Sequence, residues 1–363
     1  MASPDVLPAY AELHCLSNFT FLRGASHPEE LVERAHGQGY SALALTDECT
    51  LAGAVRAHLA ARDAGLPLVL GSEFTLVDGT KLVLLATDRE CYGDLSQLVT
   101  RGRRHAAKGT YRLTRDDVAV LGARCLALWL PALDLRAGDV DPRVRDEAAF
   151  VRDVFAARAW IGVELLARAG DAARLAQCTA LAHAFGLGRV AAGDAHMHVR
   201  ARRALQDTLT AIRLRTPLAQ CGHALFPNGE RHLRSRARLA GVYPPELLAE
   251  TVRIAERCTF SLDQLRYEYP EEIVPPGETA TSWLRKRVER GLAERYGDRK
   301  NRRGSGGYAT RATGVMERAP HGGHDRENRG QSGSGACAAG ATGVMERAPH
   351  GGHDRENRGQ SGS

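Results

Sequence analysis

From Ala11 to Ala192, short apolar runs suited to buried strands alternate with stretches of helical periodicity. Runs without a polar face need cover on both sides, and a helix after each strand supplies it, so the pattern predicts a parallel α/β fold. The predicted strands are Ala11–Leu16, Ser41–Thr46, Leu66–Leu70, Lys81–Ala86, Cys125–Leu130, Trp160–Leu165 and Arg189–Ala192. A first helix is announced by Ser26, His27 and Pro28 and carries Leu31, Val32 and Ala35 on one face. Further helices are predicted over Ala54–Ala64, Tyr92–Arg103, Arg143–Ala157 and Ala172–Phe185, and the Asp78-Gly79 pair reads as a hairpin turn.

After residue 203 the pattern becomes mostly helical. The double proline Pro244-Pro245 opens one amphipathic helix, and Thr281–Gly297 forms another, ending in arginines that suit a helix C-terminus. A parallel α/β domain over 1–203 and a helical extension over 204–300 are therefore expected. Beyond them, Ala312–Ser334 and Ala341–Ser363 are the same sequence repeated without a change. Each copy is rich in Gly, Arg, Ser and His with almost no apolar periodicity, so it cannot bury enough surface to offset the entropy of ordering it. Residues 301–363 are read as a disordered tail, more simply a foreign or out-of-frame extension than a metal-capturing or RNA-binding segment.

With 43% apolar and 25% charged residues, the composition is that of a soluble globular protein, and no run approaches the ~20 apolar residues that span a bilayer. The opening residues lack a basic and an apolar targeting region, so a cytoplasmic location is expected. Eight cysteines are scattered singly without a CxxC pair, which favours reduced thiols over zinc-finger chemistry. A net charge of +6 is compatible with a polyanionic partner but does not require one.

The chemistry-bearing residues cluster at predicted strand ends: His14 after the first, Asp47 and Glu48 after the second, Glu73 after the third, Asp194 and His196 after the last. In a parallel barrel these ends converge on one rim, where distant side chains can meet around an ion. Histidine with carboxylate suits zinc, manganese or iron, and a metal-bound hydroxide would be hydrolytic. Each residue also has a plainer role: His14 as a core histidine, Asp47 as a cap, Glu48 as a surface charge, Glu73 as an edge residue. Asp194 and His196 form the strongest pair, because residues two apart on an extended segment point the same way. The basic run RHLRSRAR, with Arg231, Arg234, Arg236 and Arg238, could contact DNA phosphates or simply form a solvated helix face.

The segments YAELHCLSNFTFLRGASHPEELVERA, ALALTDECTLAG, GSEF, VAAGDAHMH, ALQDTLTAIRL, ALFPNGERHLRS and RYEYPEEIVPPGET resemble the opening third of bacterial error-prone C-family DNA polymerases, from about Tyr10 to Gly297. The resemblance implies a PHP (polymerase and histidinol phosphatase) domain, a distorted (β/α)7 barrel, with metal ligands matching His14, Asp47, Glu73, Asp194 and His196. Two ligand positions depart from the family pattern. Leu16 stands where the second histidine of an HxH pair is expected, and Glu48 where a histidine follows the aspartate; neither His105 nor Cys125 restores the set. What remains could hold at most one residual divalent metal. Magnesium belongs to the palm domain of the complete polymerase, which the resemblance places beyond Gly297.

Three functions follow. The first is a structural PHP piece of a damage-tolerance DNA polymerase, with DNA and mutagenesis or repair proteins as partners, no membrane, and the oligomeric state left open. Tightly bound metal with chelator-sensitive hydrolysis would instead mark a phosphoesterase or 3′→5′ exonuclease. Salt-dependent DNA affinity would mark a non-catalytic DNA-binding module.

Overall fold

The computed structural model describes residues 7–134, 141–266 and 273–296. Seven strands form one curled sheet in chain order: β1 (Ala11–Glu12), β2 (Ala42–Leu45), β3 (Leu68–Thr75), β4 (Lys81–Leu85), β5 (Leu126–Trp129), β6 (Ala159–Val163) and β7 (Gly188–Ala191). Pairing is parallel from β1 to β3 and from β5 to β7, while β4 runs antiparallel to both neighbours. The reversal comes from the hairpin at Asp78-Gly79, where Gly79 has φ +93°, a left-handed value open to glycine at little cost. Beyond the strands, Ala195 N–H donates to the His14 carbonyl at 2.9 Å and Leu16 N–H to the Ala195 carbonyl at 2.8 Å. This parallel bridge joins the first and last strand ends, so the sheet closes into a distorted barrel at its C-terminal rim.

The helices are α1 (Pro28–Gly37), α2 (Ala54–Ala64), α3 (Arg89–Arg104), α4 (Arg115–Leu121), α5 (Pro142–Phe155), α6 (Asp171–Phe185), α7 (Arg203–Leu214), α8 (Arg236–Ala240) and α9 (Pro245–Glu256), with α10 (Ala280–Tyr296) following. Helices α1 to α6 pack on the outer face of the sheet. Proline at the first turn starts α1 and α5, and left-handed glycines Gly65 and Gly186 stop α2 and α6. The strands alternate between two apolar layers. Leu43, Leu45, Phe74, Leu82, Leu84 and Trp129 pack outward against Leu31, Val32, Leu95, Val151 and Phe155 of the helices. Ala42, Ala44, Val69, Val83, Leu85, Leu128, Trp160 and Val190 fill the other side with Ile254 of α9. Truncating a fully buried Phe155 or Trp129 to Ala would cost about 3–5 kcal/mol.

The structure redraws two sequence boundaries. β3 runs on to Thr75, so Glu73 lies within a paired strand and not at a free end. The helices expected as an extension from residue 204 do not form a unit apart: the described residues before 270 are one compact unit, and α9 packs on β7, β1 and β2. There the Thr251 hydroxyl accepts a hydrogen bond from Ala11 N–H at 3.0 Å. α10 belongs to the second unit and has no buried residue. The predicted tail over 301–363 lies outside the described residues.

Candidate metal centre at the barrel mouth

The period of two along a strand carries the interior apolar rows up to the mouth and ends them in charge. On β3, Val69 is followed at even spacing by Glu73; after β6, Trp160 by Glu164; after β7, Val190 and Ala192 by Asp194. Lys81 stands in the β4 row of Val83 and Leu85. β1 stops pairing at Glu12, and the chain re-aims before its bridge to Ala195, bringing His14 into the same space. Gly193 is needed here, because a Cβ at this position would overlap the buried Glu12 carboxylate, which accepts from Gly193 N–H at 3.0 Å. Asp194 then takes φ +44°, a left-handed value that aspartate tolerates better than most residues.

His14 is fully buried. Its Nε2 lies 2.7 Å from Glu73 Oε2 and 3.7 Å from Asp194 Oδ1. Its Nδ1 faces Glu164 Oε1 at 3.7 Å, and neither atom has a hydrogen-bond partner. His14, Glu164 and Asp194 can offer one ligand atom each within 4.8 Å of one another, the one such group of three among the described residues. Two ligands on one zinc ion, each at about 2.0–2.2 Å, sit roughly 3–4 Å apart, so this donor set fits a single ion.

The other predicted ligands are engaged by the protein. Asp47 Oδ1 accepts from Ser17 N–H and the Thr20 hydroxyl, both at 2.7 Å, and Oδ2 accepts from the Ser17 hydroxyl at 2.7 Å. It ties down the loop after β1; burial still pushes its carboxyl up, against those hydrogen bonds. Glu48 pairs with Arg23 through Oε2 and accepts from the Tyr111 hydroxyl at 2.9 Å through Oε1. Glu73 is held by Arg23 at 2.9 Å and Lys81 at 3.0 Å as well as by His14. His196 has both ring nitrogens occupied: the Gln206 amide donates to Nδ1 at 2.7 Å, which leaves Nε2–H to donate to Asp194 Oδ1 at 2.8 Å. Burial pushes His196 well below the ordinary imidazole range, so it is neutral and has no free lone pair for an ion. Leu16, in place of the expected histidine, is fully buried and offers no ligand atom.

Protein cations balance the acids. Burial pushes the Glu73 carboxyl up, but Lys81, His14 and Arg23 together hold it well below the usual range. For Glu164 the same contest is decided by His14, Lys81 and Arg231. Arg231 pairs with Asp194 Oδ2, and its guanidinium lies 4.2 Å from the centre of the Phe226 ring. Its carbonyl accepts from His196 N–H at 2.9 Å. Burial pulls Arg231 down to about 10, which leaves it charged at neutral pH.

The arginines read as a DNA-contacting set therefore divide. Arg231 and Arg234 are buried, the latter donating to the Leu165 carbonyl at 2.8 Å and the Tyr243 hydroxyl at 3.3 Å. A buried, paired guanidinium is not offered to a phosphate, so only half-buried Arg236 and exposed Arg238 remain for that role. Sequence reasoning missed Glu164, although IGVE repeats the strand-then-acid signal that singled out Glu73. It also missed Arg23 and Lys81, and no local signal marks them.

Residues 12–156 match the PHP domain family. The match takes in β2 to β5 together with His14, Asp47, Glu48 and Glu73, and ends before Glu164, Asp194 and Arg231. Over 295 residues the chain is 57% identical to an error-prone DNA polymerase of Dechloromonas aromatica, covering 80% of this chain and 28% of that one. Error-prone DNA polymerases of Methylococcus capsulatus and Pseudomonas aeruginosa are 56% and 54% identical, over 79% and 80% of this chain and 27% of each of theirs. The chain thus carries the PHP region of a sequence related to error-prone DNA polymerases, and spans little more than a quarter of the length of these relatives. Among solved structures, a proposed metal-dependent phosphoesterase from Bifidobacterium adolescentis is 18% identical, with TM-score 0.41, over 53% of this chain and 89% of its own. A likeness that loose says nothing of chemistry here.

Proposed function

We propose that this chain is the amino-terminal PHP region of an error-prone DNA polymerase, serving damage-induced mutagenesis and translesion synthesis as a structural module and not as a hydrolase. The observation that carries this reading is that Asp47, Glu48, Glu73 and His196, four of the six candidate ligands, already hold hydrogen-bond or ion-pair partners within the protein. Activation of water by bridging metals needs several such groups held open. Nucleotide transfer with magnesium is proposed for the larger part of the relatives that this chain does not cover, with DNA and repair proteins as partners in the cytoplasm. None of the described helices is long and apolar enough to cross a membrane.

The spacing of His14, Glu164 and Asp194 favours a second reading, a single-ion phosphoesterase or 3′→5′ exonuclease. Incubating the full chain with manganese or zinc and either a chromogenic phosphodiester or 3′-labelled single-stranded DNA separates the two. The structural reading expects no release above that of Asp194→Ala; chelator-sensitive hydrolysis abolished by Asp194→Ala would replace it with the second.

A further inference from the structure

The mouth contains a contradiction. A buried imidazole nitrogen, His14 Nδ1, and a carboxylate oxygen, Glu164 Oε1, face each other at 3.7 Å with no hydrogen-bond partner, the arrangement a cation would relieve. The third member of that donor set, Asp194, is already taken on both oxygens: Oδ1 by His196 and Oδ2 by Arg231. An ion bound by His14, Glu164 and Asp194 would lie beside the Arg231 guanidinium in a buried space, where like charges repel strongly.

The segment that delivers Arg231 is built to keep it there. Asn228 Nδ2 donates to the Leu166 carbonyl at 2.7 Å, two residues after Glu164 in sequence, and Asn228 Oδ1 accepts from Glu230 N–H at 3.1 Å. His196 N–H binds the Arg231 carbonyl, a bridge joins Met197 to His232, and the Phe226 ring lies both under the Arg231 guanidinium and edge-on to His196 at 5.5 Å. The segment that carries Arg231 is thus fastened from the Asp194–Met197 side and from the Glu164–Leu166 side of the mouth.

We propose that Arg231 is an internal counter-ion standing in for a divalent cation at Asp194, so that its ion pair and metal binding by His14, Glu164 and Asp194 exclude one another. The inference concerns the site on which the structural reading rests, but metal binding and hydrolysis are read separately, so either can fail alone. Arg231→Ala removes the competing charge and frees an Asp194 oxygen while leaving the three donors in place. Arg231→Lys keeps the charge, and Arg231→Gln is a neutral second choice should the alanine variant fail to fold.

The test is zinc affinity of metal-stripped full-length chain, measured by competition with a chromophoric chelator, with circular dichroism to confirm folding. Wild type and Arg231→Lys are expected to bind weakly. Arg231→Ala or Arg231→Gln should bind roughly ten- to hundredfold more tightly, the scale on which neighbours of a ligand tune metal affinity, and adding Glu164→Gln should abolish the gain. A folded neutral variant with wild-type affinity overturns the proposal. So does a wild-type chain that takes up about one equivalent of zinc as tightly as a chelator of micromolar affinity, a result that needs no variant.

Discussion

The two sides of the barrel mouth solve the same electrostatic problem differently. On the β2–β3 side, every carboxylate oxygen of Asp47 and Glu73 meets a protein donor or cation. On the β6–β7 side, His14 Nδ1 and Glu164 Oε1 have no hydrogen-bond partner, and Asp194 depends on a guanidinium brought from 37 residues along the chain, 231 − 194. Groups that could once be read together as a ligand set are in one half structural members and in the other still shaped for an ion. Ligation and stability compete for the same lone pairs, so the more completely a carboxylate is satisfied by the fold, the more its removal should harm folding.

The largest effect is therefore expected at Glu73. Glu73→Gln removes the charge that Arg23, Lys81 and His14 share in a buried space, and uncompensated buried cations cost about 3–5 kcal/mol, somewhat less here because Arg23 and Lys81 keep 23% and 25% side-chain exposure. Urea unfolding checks it, and a loss under about 1 kcal/mol would show that water rather than Glu73 solvates those cations. The same residue sets a pH dependence. Its folded carboxyl lies well below the ordinary value of 4.5, so as pH falls below that value the unfolded chain takes up a proton that the folded one refuses. Stability from Glu73 is fully present above about pH 5 and drains away below it, and Glu73→Gln should flatten the acid limb of a plot of stability against pH.

Asp47→Ala comes next, at about 2–3 kcal/mol, because it strands the buried Ser17 amide and the Ser17 and Thr20 hydroxyls without adding an unpaired charge. Thermal melting measures it. A near-neutral result would mean the Ser17–Thr20 loop finds other acceptors, and that the β2–β3 side is less committed to structure than its hydrogen bonds suggest.

How much of this was legible in the sequence depends on the range of the interaction. Seven strands, the Asp78-Gly79 hairpin and most helices follow from local periodicity, which acts within a few residues, and the strands appeared within a few residues of their predicted ends. The apolar run ends at Leu70, whereas β3 continues through Gly71 and Ser72 to Thr75 because pairing with β4 overrides their weak strand preference. His14 and Asp194 are legible because they follow apolar strand runs, and Glu73 because it follows the run Leu66–Leu70, although β3 itself continues past it. Glu164 has the same placement but hides inside the apolar run Trp160–Leu165. Arg231 was read as one of four alike arginines, since nothing in RHLRSRAR says which guanidinium crosses the fold to Asp194.

That division of the arginines gives the smallest and cleanest contrast. Arg238 is exposed, and its one ion-pair partner among the described residues is Glu230 at 3.8 Å, so Arg238→Ala should change stability by no more than about 0.5 kcal/mol. If this face meets DNA, the same change should lower affinity modestly and reduce the slope of log affinity against log salt by about one, the release of a single phosphate contact. Fluorescence anisotropy with a labelled duplex at several salt concentrations reads both. An unchanged slope removes Arg238 from any DNA interface, and Arg236, half-buried against Gly39 and the Leu7 carbonyl, is too enclosed to carry one alone. The basic run would then serve the barrel from within, through Arg231 and Arg234, and its outward charges would be solvated helix surface.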